Sequence, residues 1–98
     1  MQLGTLLRRL EDADDAASAL DGLGDLALFA AVQETGERYG ESPGVYVAAA
    51  ARRFASMAGD EDWLDLMAAL ARADDPARTA LDRMVRWALA RDARELAA

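Results

Sequence analysis

The chain has 98 residues, of which 53% are hydrophobic and 30% charged, and it carries a net charge of −7. This composition is typical of one globular domain and excludes a disordered segment. The chain contains no histidine, cysteine or lysine, and these side chains supply most general bases, thiolate nucleophiles, soft-metal ligands and Schiff-base amines. The sequence therefore predicts a single domain over residues 1–98 that is not an enzyme and uses no cofactor.

No apolar run approaches the length of about 18 residues that a membrane span needs. The first residues contain no basic stretch followed by an apolar one, so we expect neither a signal peptide nor a membrane partner. With no cysteine there is no disulfide framework. The expected location is cytoplasmic.

Apolar residues recur at helical spacing along most of the chain, and no segment alternates long enough to predict a strand. The spacing predicts helices near residues 2–12, 25–39, 43–58, 61–72 and 76–95. The acidic segment 11–25 is open to two interpretations: its glycines break it, or it contains a short helix over 15–20. We expect an all-α fold, an irregular antiparallel bundle of four to five short helices.

Several helix ends have recognisable signals. Ser42-Pro43 and Asp75-Pro76 each place a capping residue before a proline, which is the preferred first residue of a helix. Gly40 and Gly59 are predicted to follow helix C-termini. The acids of Asp60-Glu61-Asp62 are expected in a first turn, where they oppose the positive end of the helix dipole.

The predicted helices have apolar faces that can form one core. These faces are Val47, Ala50, Ala51, Phe54 and Ala58; then Trp63, Leu66, Met67 and Leu70; and finally Ala80, Leu81, Met84, Val85, Ala88 and Leu89. Residues 48–51 are all alanine, which makes that helix thin and predicts close packing of neighbouring helices.

The chain also contains a faint internal repeat. Arg53-Phe54-Ala55 follows Pro43 at the same distance at which Arg86-Trp87-Ala88 follows Pro76. This spacing suggests two related αα-hairpins, 25–58 and 61–95, although alanine-rich helices also match by chance.

Charge is distributed unevenly along the chain. Six acidic residues and no basic one lie between Glu11 and Asp25, whereas five arginines and three acids follow Pro76. We expect these two segments to face each other, within one chain or across a dimer. The acidic net charge argues against a nucleic-acid partner, because it repels phosphates.

The candidate interface residues are Trp87, Arg83, Arg86 and Arg91. Arg83 and Arg91 lie one turn on either side of Trp87, so a guanidinium can stack on the indole. An aromatic residue beside arginines can be an interface hot spot. More often, such a residue lies at the edge of the core under aliphatic stems.

Three groups of acids invite a metal hypothesis: Asp60, Glu61, Asp62 and Asp65; then Asp12, Asp14 and Asp15; and finally Asp74-Asp75. Hard cations such as Mg²⁺ or Ca²⁺ need several converging oxygen ligands. Helix capping explains the same acids without a metal. A cation-binding bundle is therefore an alternative and not the main prediction.

Residues 29–36, with Glu34-Thr35-Gly36, and residues 41–54, with Ser42, Tyr46-Val47 and Arg53-Phe54, resemble the helix pair of ribbon-helix-helix transcriptional regulators. The resemblance implies a dimer that binds DNA through a basic strand before the pair. The residues before this pair, Leu20 to Asp25, contain no basic side chain. In this alternative, DNA contacts would fall to Arg52, Arg53 and the C-terminal arginines.

The main functional prediction is a small non-enzymatic module for protein–protein interaction or regulation, with an unknown protein partner or self-association as a homodimer. Two alternatives are the DNA-binding regulator and the divalent-cation protein described above. A small-molecule carrier is a further one, with a pocket lined by Trp63, Met67, Phe54 or Trp87.

Phe54→Ala tests the face assigned to helix 43–58. If Phe54 is central to the core, the substitution lowers the free energy of unfolding by about 3–5 kcal/mol, measured by urea denaturation. A loss below about 1 kcal/mol would contradict the assigned face.

Overall fold

The computed structural model describes residues 3–97. It contains six helices: α1 (Leu3–Arg9), α2 (Ala13–Gly22), α3 (Leu26–Arg38), α4 (Pro43–Met57), α5 (Asp60–Arg72) and α6 (Pro76–Ala97). The all-helical prediction is confirmed, since no strand occurs in that range. None of these helices combines the length and apolar character needed to cross a membrane.

The predicted number of four to five helices was too low, because the acidic segment forms a helix of its own. Asp12 caps α2 by accepting hydrogen bonds from the backbone amides of Asp14 and Asp15, at 2.8 and 3.1 Å. Ala16 and Leu20 of this helix are buried. The acids in its first turn favour the helix through its dipole, while its apolar face holds it against the core.

Helix α4 lies at the centre of the fold. Helices α2, α3 and α6 pack against it, and α5 packs on α6. Nearly half of the α4 residues are buried: Gly44, Tyr46, Val47, Ala48, Ala50, Ala51 and Phe54. Three of the four alanines 48–51 are buried where the neighbouring helices surround α4, and small side chains there leave room for close packing.

Helix α2 approaches α4 closely at Gly44. A Cβ added there would clash with the carbonyl oxygen of Ala13 and lie 3.2 Å from the Cβ of Ala17. Backbone thus lies directly against backbone at the start of α4. A glycine is required at this position because there is no room for a side chain. Its backbone dihedral angles are not the reason.

Most predicted helix ends are confirmed. The Ser42 hydroxyl accepts from the Val45 amide, and the Asp75 carboxylate accepts from the Arg78 amide, both at 3.3 Å. Gly40 follows α3 with a φ of 71°, the left-handed conformation typical of a glycine after a helix. The prediction for Gly59 is also confirmed: it comes directly after Ala58, the C-cap of α4, and it is at the same time the N-cap of α5.

The predicted core faces are confirmed for α4 and for most of α6, whose Ala80, Leu81, Met84, Val85 and Ala88 are buried. One residue of the α5 face was misplaced. Met67 is 45% exposed, and Ala69 is buried instead. Helix α5 turns Leu66 and Ala69 inward, which carries Met67 to its outer side.

The acidic segment and the C-terminal helix do meet within one chain. Asp25 and Arg86 form an ion pair at 3.0 Å. The Arg78 guanidinium donates to the carbonyl oxygens of Gly22 and Leu23, at 2.6 and 2.9 Å. These contacts tie the C-terminal end of α2 to α6, where a positive charge also complements the helix dipole.

Gly44→Ala is expected to lower the free energy of unfolding by about 1–3 kcal/mol. The added methyl group would force α2 away from α4, which outweighs the gain of up to about 1 kcal/mol in helix propensity. Gly22→Ala is the matched control, because a Cβ there meets nothing within 4 Å; it should leave stability unchanged or raise it. Chemical denaturation of both variants measures the difference, and equal effects would contradict the close approach.

Candidate functional site

Trp87, the centre of the predicted interface, packs inside the fold. The Phe54 ring meets Trp63 and Trp87 edge to face, with ring centroids 4.9 and 5.3 Å apart. These three rings join α4, α5 and α6, and edge-to-face contacts stabilise beyond the area they bury. They fill the region where a small-molecule pocket was considered, while Met67 lies on the other side of α5.

Asp62 connects the aromatic cluster to the start of α5. One of its carboxylate oxygens accepts from the Gly59 amide at 3.0 Å and from the Trp87 indole Nε1 at 3.2 Å. The same side chain therefore caps a helix and satisfies a half-buried indole. This acid of the proposed cation cluster already has structural partners.

The structure brings together some of the predicted interface residues. The Arg91 guanidinium lies 4.8 Å from the centre of the Trp87 ring, as the spacing predicted. Arg86 donates to Asp82 and Asp25, at 2.9 and 3.0 Å, and Arg83 is exposed. Within the chain, Arg86 joins α6 to Asp25, the N-cap of α3, and Trp87 joins α6 to Asp62 of α5. An intermolecular role for these residues stays a prediction.

A buried polar network lies between α4 and α6. Asp92 is 1% exposed and accepts a hydrogen bond from the Tyr46 hydroxyl at 2.5 Å. Arg53 donates to both oxygens of the same carboxylate, at 2.9 and 3.0 Å. We call Tyr46, Arg53 and Asp92 the core network.

The protonation states in the core network follow from these contacts. Burial alone would raise the pKa of Asp92, but hydrogen bonds from Arg53 and Tyr46 outweigh burial and bring the pKa below its ordinary value. Burial and the hydrogen bond to Asp92 raise the pKa of Tyr46. The network therefore holds a carboxylate, a guanidinium and a neutral phenol at neutral pH.

The sequence contained an unused signal for this network. Leu81, Val85 and Ala88 form the buried stripe of α6, and the next residue in that register is Asp92. Tyr46 and Arg53 are seven residues apart, and therefore two turns apart on one face of α4. A charged residue in an apolar register predicts a buried partner of opposite charge.

The core network forms the floor of an open groove of about 450 Å³. Tyr39, Ala49 and Met57 line its sides, and Glu41 and Glu95 lie at its rim. Tyr39 and Met57 are 43% and 54% exposed. We call this the Tyr39 groove; its volume lies within the range of roughly 300–1,000 Å³ typical of ligand pockets.

The Tyr39 groove is negatively charged. Three carboxylates and one guanidinium line it, which leaves a formal charge of −2. Arg53 is matched by Asp92, whereas within residues 3–97 neither Glu41 nor Glu95 forms an ion pair. Desolvation and the charges of Asp92 and Glu95 raise the pKa of Tyr39. A cation is therefore the ligand that this groove favours electrostatically.

The geometry gives less support to the metal-binding and DNA-binding alternatives. Across the described range, no three acidic side chains come close enough to hold a metal ion. The strand that the ribbon-helix-helix resemblance implies is replaced by the end of α2. Of the arginines named for DNA contact, Arg53, Arg78 and Arg86 already donate to carboxylates or carbonyl groups within the chain.

Comparison of the chain with models of protein families, with curated proteins and with solved structures finds no match.

Asp92→Asn tests the electrostatics of the core network. At pH 7 it should lower the free energy of unfolding by about 2–4 kcal/mol, because it leaves the partly buried Arg53 without a counter-charge. The native pKa of Asp92 lies below that of the unfolded chain, about 3.9. The Asp92 carboxylate thus contributes to the free energy of unfolding above pH 4, and this contribution is lost as the pH falls from about 4 through the native pKa.

Urea denaturation of wild type and Asp92→Asn from pH 7 to pH 2.5 measures this difference. The gap between them should be constant above pH 5 and shrink below pH 4. Glu11→Gln, on an exposed residue, should change stability by less than about 0.5 kcal/mol. A gap of equal size at pH 3 and pH 7 would argue against an ionised, paired Asp92.

Proposed function

We propose that this protein is a small non-enzymatic interaction module that binds a partner protein by accepting an arginine or lysine side chain in the Tyr39 groove. The observation that carries the proposal is the net negative charge of a groove whose floor is already electrostatically matched. From the sequence we also propose that the protein is cytoplasmic and that its two αα-hairpins are related to each other.

The lining of the groove suits a long basic side chain. The alkyl stem of an arginine or lysine can lie along Ala49 and Met57, as such stems do on apolar surfaces. The exposed Tyr39 ring offers a face for a cation–π contact. Glu41 and Glu95 supply the opposite charge for the head group, with hydrogen bonds that are strongest for a guanidinium.

The floor supports this role by staying rigid. Both oxygens of Asp92 are engaged, and Arg53 is held in a fork of two hydrogen bonds. A ligand therefore meets a groove that is already formed, so binding does not have to order it. The partly exposed Arg53, at 29% of its side chain, also disfavours a second cation deep in the groove, so one basic side chain is the expected occupant.

A labelled peptide, acetyl-Gly-Leu-Arg-Leu-Gly-amide, tests the proposal by fluorescence anisotropy. It should bind, and the same peptide with citrulline in place of arginine should bind at least tenfold more weakly, because citrulline keeps the shape and loses the charge. Glu95→Gln and Glu41→Gln should each weaken binding about three- to tenfold, and the effect should shrink at high salt. Glu11→Gln is the matched control and should bind as wild type does.

Agmatine, a free guanidinium compound, serves as the competitor that separates two sources of the cation. If agmatine at equal concentration displaces the peptide completely, the groove is specific for small organic cations and the partner-protein proposal is wrong. Equal binding of the citrulline peptide, or no binding at 1 mM peptide, would also contradict it.

A further inference from the structure

Helix α5 has two apolar faces, and within the part of the chain that the structure describes only one of them is packed. Its inner face contributes Leu66 and Ala69, which are 1% and 6% exposed, to the contact with α6. Its outer face carries Leu64, Met67, Ala68 and Ala71, all exposed. We call these four residues the outer α5 stripe.

The spacing of the outer α5 stripe is that of a helix-packing surface. Its residues follow one another at i, i+3, i+4 and i+7, which aligns them along a single side of the helix. Leu64 is 69% exposed and Met67 is 45% exposed. Isolated exposed apolar residues are normal on a protein surface, but four in helical register form a face that a second helix can cover.

An antiparallel second copy of the stripe would bring its small residues alongside the end of the first stripe that carries the large residues. The large residues, Leu64 and Met67, occupy its N-terminal half, and Ala68 and Ala71 occupy its C-terminal half. If two copies of α5 pair antiparallel, with the two-fold axis between positions 67 and 68, Leu64 faces Ala71 of the second copy. Met67 and Ala68 lie on opposite edges of the stripe, so Met67 meets Met67 of the second copy and Ala68 meets Ala68. Each Leu64 meets a small residue, which lets the two helices approach closely.

The charges along one edge of the stripe favour the same arrangement. Glu61, Asp65 and Arg72 lie on the side next to Ala68, because of the helical repeat of 3.6 residues. Antiparallel pairing places Arg72 of the second copy between Glu61 and Asp65, twice by symmetry. In a parallel pair this edge would face the opposite edge of the second copy, and Arg72 would meet neither Glu61 nor Asp65. Flanking charges of this kind set the orientation of paired helices.

We propose that two copies of this chain form a homodimer by antiparallel pairing of the outer α5 stripes. The contact is isologous and closed, so it stops at two copies. One helix pair of this length covers less than the roughly 800 Å² per partner of a standard specific interface. Association is therefore weak and depends on concentration, with a dissociation constant between about 10 μM and 1 mM. The stripe shares no residue with the Tyr39 groove, so this inference stands or falls independently of the proposed function.

Sedimentation equilibrium from 10 μM to 1 mM, with circular dichroism to confirm folding, tests the dimer. The mass of the wild type should rise from monomer toward dimer. Leu64→Gln with Met67→Gln should weaken association at least tenfold without loss of stability. Leu26→Gln is the matched control, because Leu26 is 85% exposed but lies on α3, and it should associate as the wild type does.

A charge-reversed pair tests the orientation. Arg72→Glu leaves only acids at the edge of the stripe, and Glu61→Arg with Asp65→Arg leaves only bases. Neither variant should associate alone, whereas an equimolar mixture should form a heterodimer at least as tightly as the wild type does. A wild type that is monomeric at 1 mM would overturn the proposal. So would a dimer that survives the change at Leu64 and Met67, or one that Arg72→Glu retains.

Discussion

The position of α4 at the centre of the fold is the constraint on which the other features depend. A helix surrounded by α2, α3 and α6 needs small residues where neighbours approach, and Gly44 with the alanines that follow provides them. Such a helix has little surface left for polar groups. Tyr46 and Arg53 therefore fall between α4 and α6, and each needs a partner inside the protein.

Asp92 meets that need for both residues at once. A buried carboxylate is costly unless it is paired and hydrogen-bonded, and this one is held by a guanidinium and a phenol. Apolar packing of similar volume is often as stable as such a network; what the network does here is hold Asp92 of α6 opposite Tyr46 and Arg53 of α4. The same alignment builds the Tyr39 groove, so specificity in the core and the shape of the surface have a common origin.

The two proposed surfaces differ in their shape and in their chemistry. The Tyr39 groove is a concave site formed by α4, α6 and the turn after α3, and its chemistry is electrostatic. The outer α5 stripe is a convex apolar face on a helix that reaches the core from one side only. A dimer joined at α5 would carry two grooves, and a partner with two basic side chains would bind it with higher effective affinity than a monomer.

Local signals in the sequence determined the helices and their ends. Ser42-Pro43 and Asp75-Pro76 marked the starts of α4 and α6, and apolar spacing identified the buried faces of the same helices, because both signals depend only on neighbouring residues. Helix α2 was left open, since burial of Ala16 and Leu20 against α4 stabilises it. Tertiary structure alone decided that Met67 faces outward and that Tyr46, Arg53 and Asp92 meet. Those outcomes depend on which helices pack together. Asp92 is 46 positions from Tyr46 and 39 from Arg53 along the chain, so no pattern among neighbouring residues indicates that they are in contact.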